Sequence, residues 1–259
     1  MALVLSARVV EASARVYCRT WRGSVISTFF NPVLYLLAMG VGLGKLVDNG
    51  TGGATLGNLE YLTFLAPGLL TATAMMTGAG DASWPVMAGI KWRKTYDAIL
   101  ATPVGIRELV IGHLSWVGVR LVFVTVVYSG VMTAFGATTL AQGALAVPPA
   151  VLTGLGFSAI ITAYTACLKD EQGLSALFRF GIMPLFLFSG TFFPIGQLPG
   201  WIQPIAYATP LFHGVSLCRG LALGVSFEIN SSLSVAYLVA LLVIGTILAT
   251  RLMRGRLIT

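Results

Sequence analysis

The stretch that decides the fold is Met183–Gly220, which reads MPLFLFSGTFFPIGQLPGWIQPIAYATPLFHGVSLCRG. It is apolar enough to enter a membrane, yet five prolines interrupt it: Pro184, Pro194, Pro199, Pro204 and Pro210. Each proline removes a backbone hydrogen-bond donor and clashes with the preceding helical turn. Irregular backbone at membrane depth is tolerated only where protein buries it or water reaches it. We therefore predict a re-entrant helical hairpin over residues 194–221, a feature typical of proteins that move solutes.

The composition predicts an all-α integral membrane protein. Hydrophobic residues make up 56% of the chain and charged residues only 10%, whereas a soluble domain carries about 25% charged residues. Six apolar stretches approach the ~20 residues that a spanning helix needs, within a single membrane domain over residues 1–259. The predicted spans are Val25–Lys45, Tyr61–Asp81, Leu109–Phe135, Ala144–Leu168, Ala176–Phe193 and Leu233–Thr250.

The basic residues indicate the orientation. Thirteen of the 16 lie in segments that the six spans place on one face. These are Arg8, Arg15, Arg19, Arg22, Lys91, Arg93, Lys94, Arg107, Lys169, Arg179, Arg251, Arg254 and Arg256. Lys45 and Arg219 fall on the other face, and Arg120 falls inside the third span. Because basic residues favour the cytoplasmic side, we predict both termini in the cytoplasm and an outward-facing hairpin.

Residues 1–23 have the pattern of an amphipathic helix. Arg8, Glu11, Arg15, Arg19 and Arg22 recur at steps of three and four, which places them in one polar stripe. A basic amphipathic helix next to a span lies along the membrane surface. A simple positively charged anchor without a mechanical role explains the stripe equally well.

The sequence contains no site for nucleotide, metal or covalent catalysis. Residues Gly40–Leu46 come nearest to a phosphate-binding loop, but Met39 stands where the first glycine is needed and Leu46 stands where Ser or Thr is needed. We also find no carboxylate or histidine relay near mid-membrane, which a proton-coupled carrier needs. The prediction is that this chain binds no cofactor and that any energy source belongs to a partner.

Arg120 is the exception to the apolar character of the spans. It lies roughly twelve residues into the third span, where an uncompensated charge costs a few kcal/mol or more. It is either a contact for an anionic or polar group of a substrate or a structural ion-pair partner, and the sequence leaves both open.

The loop between the second and third spans contains an amphipathic unit, Lys91–Pro103, KWRKTYDAILATP. Trp92, Tyr96, Ile99 and Leu100 can line one side at helical spacing, with charged residues on the other side. We predict a short helix that docks onto a cytoplasmic partner.

This unit and two other motifs resemble the type-2 ABC exporter permeases. The family's segment after the second span resembles KWRKTYDAILATP, and its C-terminal signature resembles Phe188–Pro194 together with Leu198–Ile202 and Thr209–Leu211. Asn31-Pro32 at the start of the first span also fits. Within the family, the sequence most resembles the nodulation-factor exporter permeases and the daunorubicin-resistance permeases.

The resemblance implies a permease subunit that works with a second copy of itself or a close homologue and with two copies of a separate ATPase. ATP and Mg would be bound by that ATPase, and the substrate would be a lipid, glycolipid, polysaccharide or amphipathic drug. The membrane would be a bacterial-type plasma (inner) membrane. The residues assigned to coupling are Lys91, Trp92, Arg93, Lys94, Tyr96, Asp97 and Leu100. The residues assigned to the substrate path or outer gate are Arg120, Phe188, Phe192, Phe193, Trp201 and His213.

Two other classes of function remain open at this point. One is a secondary transporter or channel that works alone, and the other is a membrane-embedded enzyme that modifies lipids. The aromatic residues assigned to the path are also explained by packing against lipid and neighbouring helices, since aromatics gather at membrane interfaces.

Overall fold

The computed structural model describes residues 2–44, 59–225 and 229–258, without the side chains of residues 2, 3, 20–29, 31 and 41. These ranges are helical with short connections. The α-helices are α1 Ala2–Tyr35, α2 Tyr61–Ala82, α3 Trp84–Met87, α4 Thr95–Leu100, α5 Ile106–Ala134, α6 Leu140–Cys167, α7 Gln172–Leu177, α8 Met183–Phe188, α9 Gln203–Tyr207, α10 Pro210–Leu223 and α11 Ser231–Leu257. Wider π-type turns extend α1, α3 and α7 over Leu36–Leu43, Ala88–Trp92 and Phe178–Ile182, and a single 3₁₀ turn covers Ile195–Gln197.

Within the described residues, four helices are long and apolar enough to cross a membrane. They are Tyr61–Trp92 (α2 with α3 and its extension), Ile106–Ala134, Leu140–Cys167 and Ser231–Leu257. They coincide with the second, third, fourth and sixth predicted spans, which are confirmed as long apolar helices. In the region of the fifth predicted span the structure has a shorter apolar helix, Gln172–Phe188.

Helix α6 is the centre of the bundle. It runs parallel to α11, because Gly156 faces Leu241 while Gly245, further along, faces Ala159. It runs antiparallel to α5, since Gly143 lies against Ser129 at one end and Gly154 lies against Leu121 further along.

Helix α2 packs directly on the backbone of α6. A Cβ atom added to Gly78 would overlap the backbone of Gly154, and one added to Gly154 would lie 2.7 Å from the carbonyl oxygen of Ala74. Small residues at such crossings let two helix backbones approach closely, which is how helices associate in lipid.

The first helix differs from the sequence-based division at residue 23. Its backbone is helical without interruption from Ala2 to Tyr35, 34 residues, and continues through Leu43. At 1.5 Å per residue α1 is about 51 Å long, well beyond a hydrocarbon core of about 30 Å. Its N-terminal part is continuous with the predicted first span, and its location on the membrane surface stays a prediction. The predicted end of the first span, Lys45, lies outside the described residues.

The N-terminal part of α1 packs along the start of α5. A Cβ on Gly112 would lie 2.6 Å from Val9 and 2.8 Å from the carbonyl of Ser6, and the rings of Tyr17 and Trp116 are 5.7 Å apart. On its exposed side Glu11 accepts hydrogen bonds from Arg8 and Arg15, and these hold the pKa of Glu11 below its usual value.

The fifth predicted span is too long at its end. The helix stops at Phe188, five residues before the predicted Phe193, because Gly190 adopts a positive φ of 78° that only glycine reaches without strain. The chain then forms a hairpin, residues 189–209, whose two ends meet where the Thr209 hydroxyl lies 3.0 Å from that of Ser189.

The proline-rich segment is broken into short helices, as predicted. Pro210 stands in the first turn of α10, where its missing N–H would have no helical partner. The side chain of Thr209 caps this helix by accepting a hydrogen bond from the backbone N–H of Phe212. All residues from 211 to 220 are buried, so α10 lies inside the bundle. The position of this segment relative to a membrane stays a prediction.

Candidate functional site

The turn between α3 and α5, residues 91–103, changes the direction of the chain twice. The helix formed by α3 and its π-type extension ends at Trp92, and Lys94 adopts a left-handed conformation with a φ of 47°. A non-glycine residue at positive φ is uncommon and marks a fixed turn. Helix α4 then covers only Thr95–Leu100, a shorter helix than the predicted unit Lys91–Pro103.

One side of α4 is packed onto the chain's own helices. Tyr96 and Leu100 contact a cluster that includes Val9, Val104 and Leu109. A Cβ on residue 89 would lie 2.9 Å from the Tyr96 ring, so this ring covers α3 at a glycine. Burial raises the pKa of the Tyr96 hydroxyl.

The predicted apolar face is divided between two elements. Tyr96, Ile99 and Leu100 share a side that lies half-buried against the chain's own helices, and their contact with a partner stays a prediction. Trp92 lies on the preceding helix and points elsewhere, with 52% of its surface exposed. Sequence periodicity could not show this, because the left-handed residue Lys94 breaks the helical register between Trp92 and Tyr96.

The outer side of the turn is charged and carries the exposed tryptophan. Five residues assigned to coupling are exposed here: Lys91, Trp92, Arg93, Lys94 and Asp97. The Lys91 amine lies 4.0 Å from a carboxylate oxygen of Glu171, just before α7. This ion pair connects the turn to the loop after α6. An exposed aromatic ring among cations is a surface suited to a protein partner.

Arg120 has a carboxylate partner. Its guanidinium donates to Oδ1 of Asp81 on α2, and it lies 5.3 Å from the centre of the Tyr17 ring on α1. Asp81 Oδ2 is buried and has no hydrogen-bond partner among the described residues. The ion pair joins α2 to α5, and the contact with Tyr17 adds α1. These contacts favour the structural interpretation of Arg120 over a substrate contact.

His213 is a packing residue between α10 and α11. Its Nδ1 lies 3.0 Å from the Ser234 hydroxyl, and its ring stacks on Tyr237 with centroids 4.4 Å apart. The Tyr237 hydroxyl in turn donates to the carbonyl of Ala208 at 2.9 Å. These contacts hold the end of the hairpin against the last long helix.

The four aromatic residues assigned to the path do not form one surface. Phe192 packs edge-on against Phe186 at 5.1 Å, and Phe193 packs inside the hairpin. Phe188 and Trp201 are exposed, Trp201 by 74%. The structure thus separates a half-buried pair, Phe192 and Phe193, from an exposed pair.

Arg219, which the sequence placed on the outer face, is buried in the bundle beside the start of the hairpin. Its side of the membrane stays a prediction. Arg219 is 6% exposed, nine residues into α10. Its Nη2 donates to the carbonyl of Gly190 at 2.9 Å, and its guanidinium lies 3.8 Å from the centre of the Phe64 ring. The signal that could have found it is an arginine within a run of apolar and small residues.

These features define a class of protein. A bundle of long apolar helices carries a charged turn at one end and a hairpin with an exposed tryptophan at the other end, and no group of side chains suited to a metal ion occurs within the described residues. This is the architecture of a helical membrane transport subunit.

Residues 8–223 match the model of the family described as ABC-2 type transporter, and the chain belongs to that family as a membrane-spanning permease. It is 29% identical over 234 residues to Nodulation protein J of Rhizobium meliloti (strain 1021), covering 90% of this chain and 87% of that protein. It is 25% identical to Nodulation protein J of Bradyrhizobium diazoefficiens, covering 97% and 98% of the two chains. It is 20% identical to the Inner membrane transport permease YadH of Escherichia coli over 81% of this chain and 79% of that one.

Proposed function

We propose that this permease exports an amphipathic substrate with a polar head, such as a glycolipid, a lipid-like molecule or an amphipathic drug, and that a separate ATPase drives it from the 91–103 turn. ATP and Mg²⁺ are bound by that ATPase. The chain lies in the plasma membrane with both termini in the cytoplasm, and the 189–209 hairpin closes the outer end of the path.

One observation carries this proposal. The 91–103 turn has two sides with different partners: Tyr96 and Leu100 are packed against α1, α5 and α11, while Trp92 and its neighbouring cations are exposed. A rigid turn with an exposed aromatic anchor can transmit the movement of a bound soluble protein to α2 and α5. Interface energy concentrates in a few large side chains, of which tryptophan is among the most effective.

The experiment compares two exposed tryptophans at opposite ends of the molecule. Trp92→Asp should abolish co-purification of the ATPase, because it removes the anchor from the docking surface. Trp201→Asp is the matched control and should leave ATPase binding unchanged, since this residue lies in the hairpin. Normal ATPase binding and ATP-driven export by Trp92→Asp would overturn the docking site.

Two copies of this chain complete the proposed transporter. Helix α5 exposes large apolar side chains at Val119, Val122, Phe123 and Val126. Lipid or a second copy covers this face. Native mass spectrometry of the purified complex gives the copy number, and a mass with one permease would contradict the pair.

The class of substrate is tested by ATP-dependent uptake into inside-out vesicles. A fluorescent lipid-linked oligosaccharide and a planar cationic drug are compared at equal concentration. Transport of either one supports the amphipathic class, and transport of the drug alone would assign drug efflux and resistance to this chain. Uptake that needs no ATPase would favour a transporter working alone.

A further inference from the structure

Arg219 joins three segments at the hairpin end of the bundle. It belongs to α10, it donates to Gly190 where the hairpin begins, and its Nε lies 3.4 Å from the carbonyl oxygen of Phe64 on α2. The guanidinium plane also stacks over the Phe64 ring. Arginine suits such a site because its planar fork can donate several hydrogen bonds while it stacks on an aromatic face.

The backbone around Arg219 is built for close contact. A Cβ on Gly68 would lie 2.8 Å from the carbonyl oxygen of Thr191 and 3.3 Å from Nη2 of Arg219. Gly190 has a positive φ, and its carbonyl accepts the hydrogen bond from the guanidinium. Two glycines are therefore needed for the hairpin to rest on α2 at this point.

Helix α2 connects this contact to the other end of the molecule. Phe64 and Gly68 lie in its first two turns, and after Ala82 the chain continues through α3 into the 91–103 turn. A displacement at the turn therefore reaches the hairpin through α3 and α2, which are joined by the single non-helical residue Ser83. Rigid helices of this kind carry coupling when both sites bias the same two-state element.

We infer that Arg219 is a positioning residue that latches the hairpin to α2 in the closed state, so that a displacement of α2 by the ATPase releases the hairpin and opens the outer path. This inference rests on the proposed function. It assigns a role to a residue whose contacts otherwise look only structural.

The experiment uses the full transporter, permease with ATPase, in lipid nanodiscs. Cys18, Cys167 and Cys218 are first replaced by Ser, Ser and Ala, and Thr191→Cys is introduced as a reporter. Thr191 is fully buried beside the latch, so its labelling by a membrane-impermeant maleimide reports on release of the hairpin. Labelling is measured without nucleotide, so it does not depend on transport.

Arg219→Met should raise the labelling rate at least about tenfold, the factor expected for loss of one hydrogen bond to a charged group. Arg219→Lys should raise it less, because it keeps the charge but loses the stacked plane. Arg254→Met, an exposed arginine at the other end, is the control and should change nothing.

A second reporter separates a latch from general loosening. Ala159→Cys is fully buried where α6 meets α11, far from the hairpin in the fold. Its labelling should stay unchanged in Arg219→Met. An unchanged rate at Thr191→Cys, or an equal rise at both reporters, would overturn the latch. ATPase binding to the unmodified chain is measured in the same preparation, and its absence would count against the proposed function alone.

Discussion

The 91–103 turn and the 189–209 hairpin are both short, irregular segments between long helices, but they are held in different ways. The turn is held by side chains: Tyr96 and Leu100 fit into an apolar cluster. At its base the hairpin is held by the hydrogen bond between the Thr209 and Ser189 hydroxyls and by the bond from Arg219 to the Gly190 carbonyl. Many small side-chain contacts make the turn part of the rigid bundle. The few hydrogen bonds at the base of the hairpin can be broken and formed again.

Each region includes a packed ring and an exposed tryptophan. In the turn these are the half-buried Tyr96 and Trp92, and at the hairpin end they are the buried His213 and Trp201. The difference teaches that aromatic residues in a loop cannot be assigned to a partner or to the core by composition. The predictions below use these pairs to test the contrast.

The largest effect is expected midway between the two regions, at the Asp81–Arg120 pair. Arg120→Met leaves a mostly buried carboxylate without its partner and should lower the free energy of unfolding by about 3–5 kcal/mol. Asp81→Asn combined with Arg120→Met should recover most of this loss. Denaturant unfolding in detergent measures both. Normal stability with a selective loss of one substrate would restore the substrate-contact interpretation of Arg120.

In the turn, Tyr96→Asp should destabilise the protein by about 3 kcal/mol, because it places a charge among apolar side chains. Trp92→Asp should change stability by less than about 0.5 kcal/mol, since the ring is exposed. Thermal unfolding of the permease without ATPase measures both variants. Equal stability of the two would mean that α4 is not packed as described.

At the hairpin end, His213→Ala should cost about 2 kcal/mol, the sum of one hydrogen bond to Ser234 and the stacking on Tyr237. Trp201→Ala is the matched control and should stay within about 0.5 kcal/mol. The same unfolding assay applies. A larger loss of stability in Trp201→Ala than in His213→Ala would show that Trp201 is buried against another molecule, such as lipid or a second copy of the chain.

The smallest effect concerns two glycines. Gly68→Ala should cost about 1–2 kcal/mol, because its new methyl group would meet the backbone of Thr191. Gly89→Ala should cost less, since it meets the ring of Tyr96, a side chain that can move aside. The protease resistance of the two purified variants shows which substitution costs more stability. A greater loss of stability in Gly89→Ala than in Gly68→Ala would contradict this comparison, in which the hairpin contacts α2 through backbone and the turn contacts its neighbours through side chains.

The sequence by itself determined the long helices and their approximate ends. Apolar runs of about 20 residues need no tertiary partner to be recognised, because each such helix satisfies its own backbone hydrogen bonds in lipid. The prolines likewise predicted the breaks in the hairpin segment, since the loss of a donor is a local property. Pro210 occupies the first turn of α10 for the same local reason.

Only the tertiary structure decided which side chains point where. The left-handed residue Lys94 turned Tyr96 inward and left Trp92 outside, and no periodicity contains that information. Asp81 and Arg120 are 39 residues apart, and Arg219 meets Phe64 across 155 residues. Such contacts depend on how helices cross, and crossing is set by the fit of whole helix faces, including the glycines at which backbones touch.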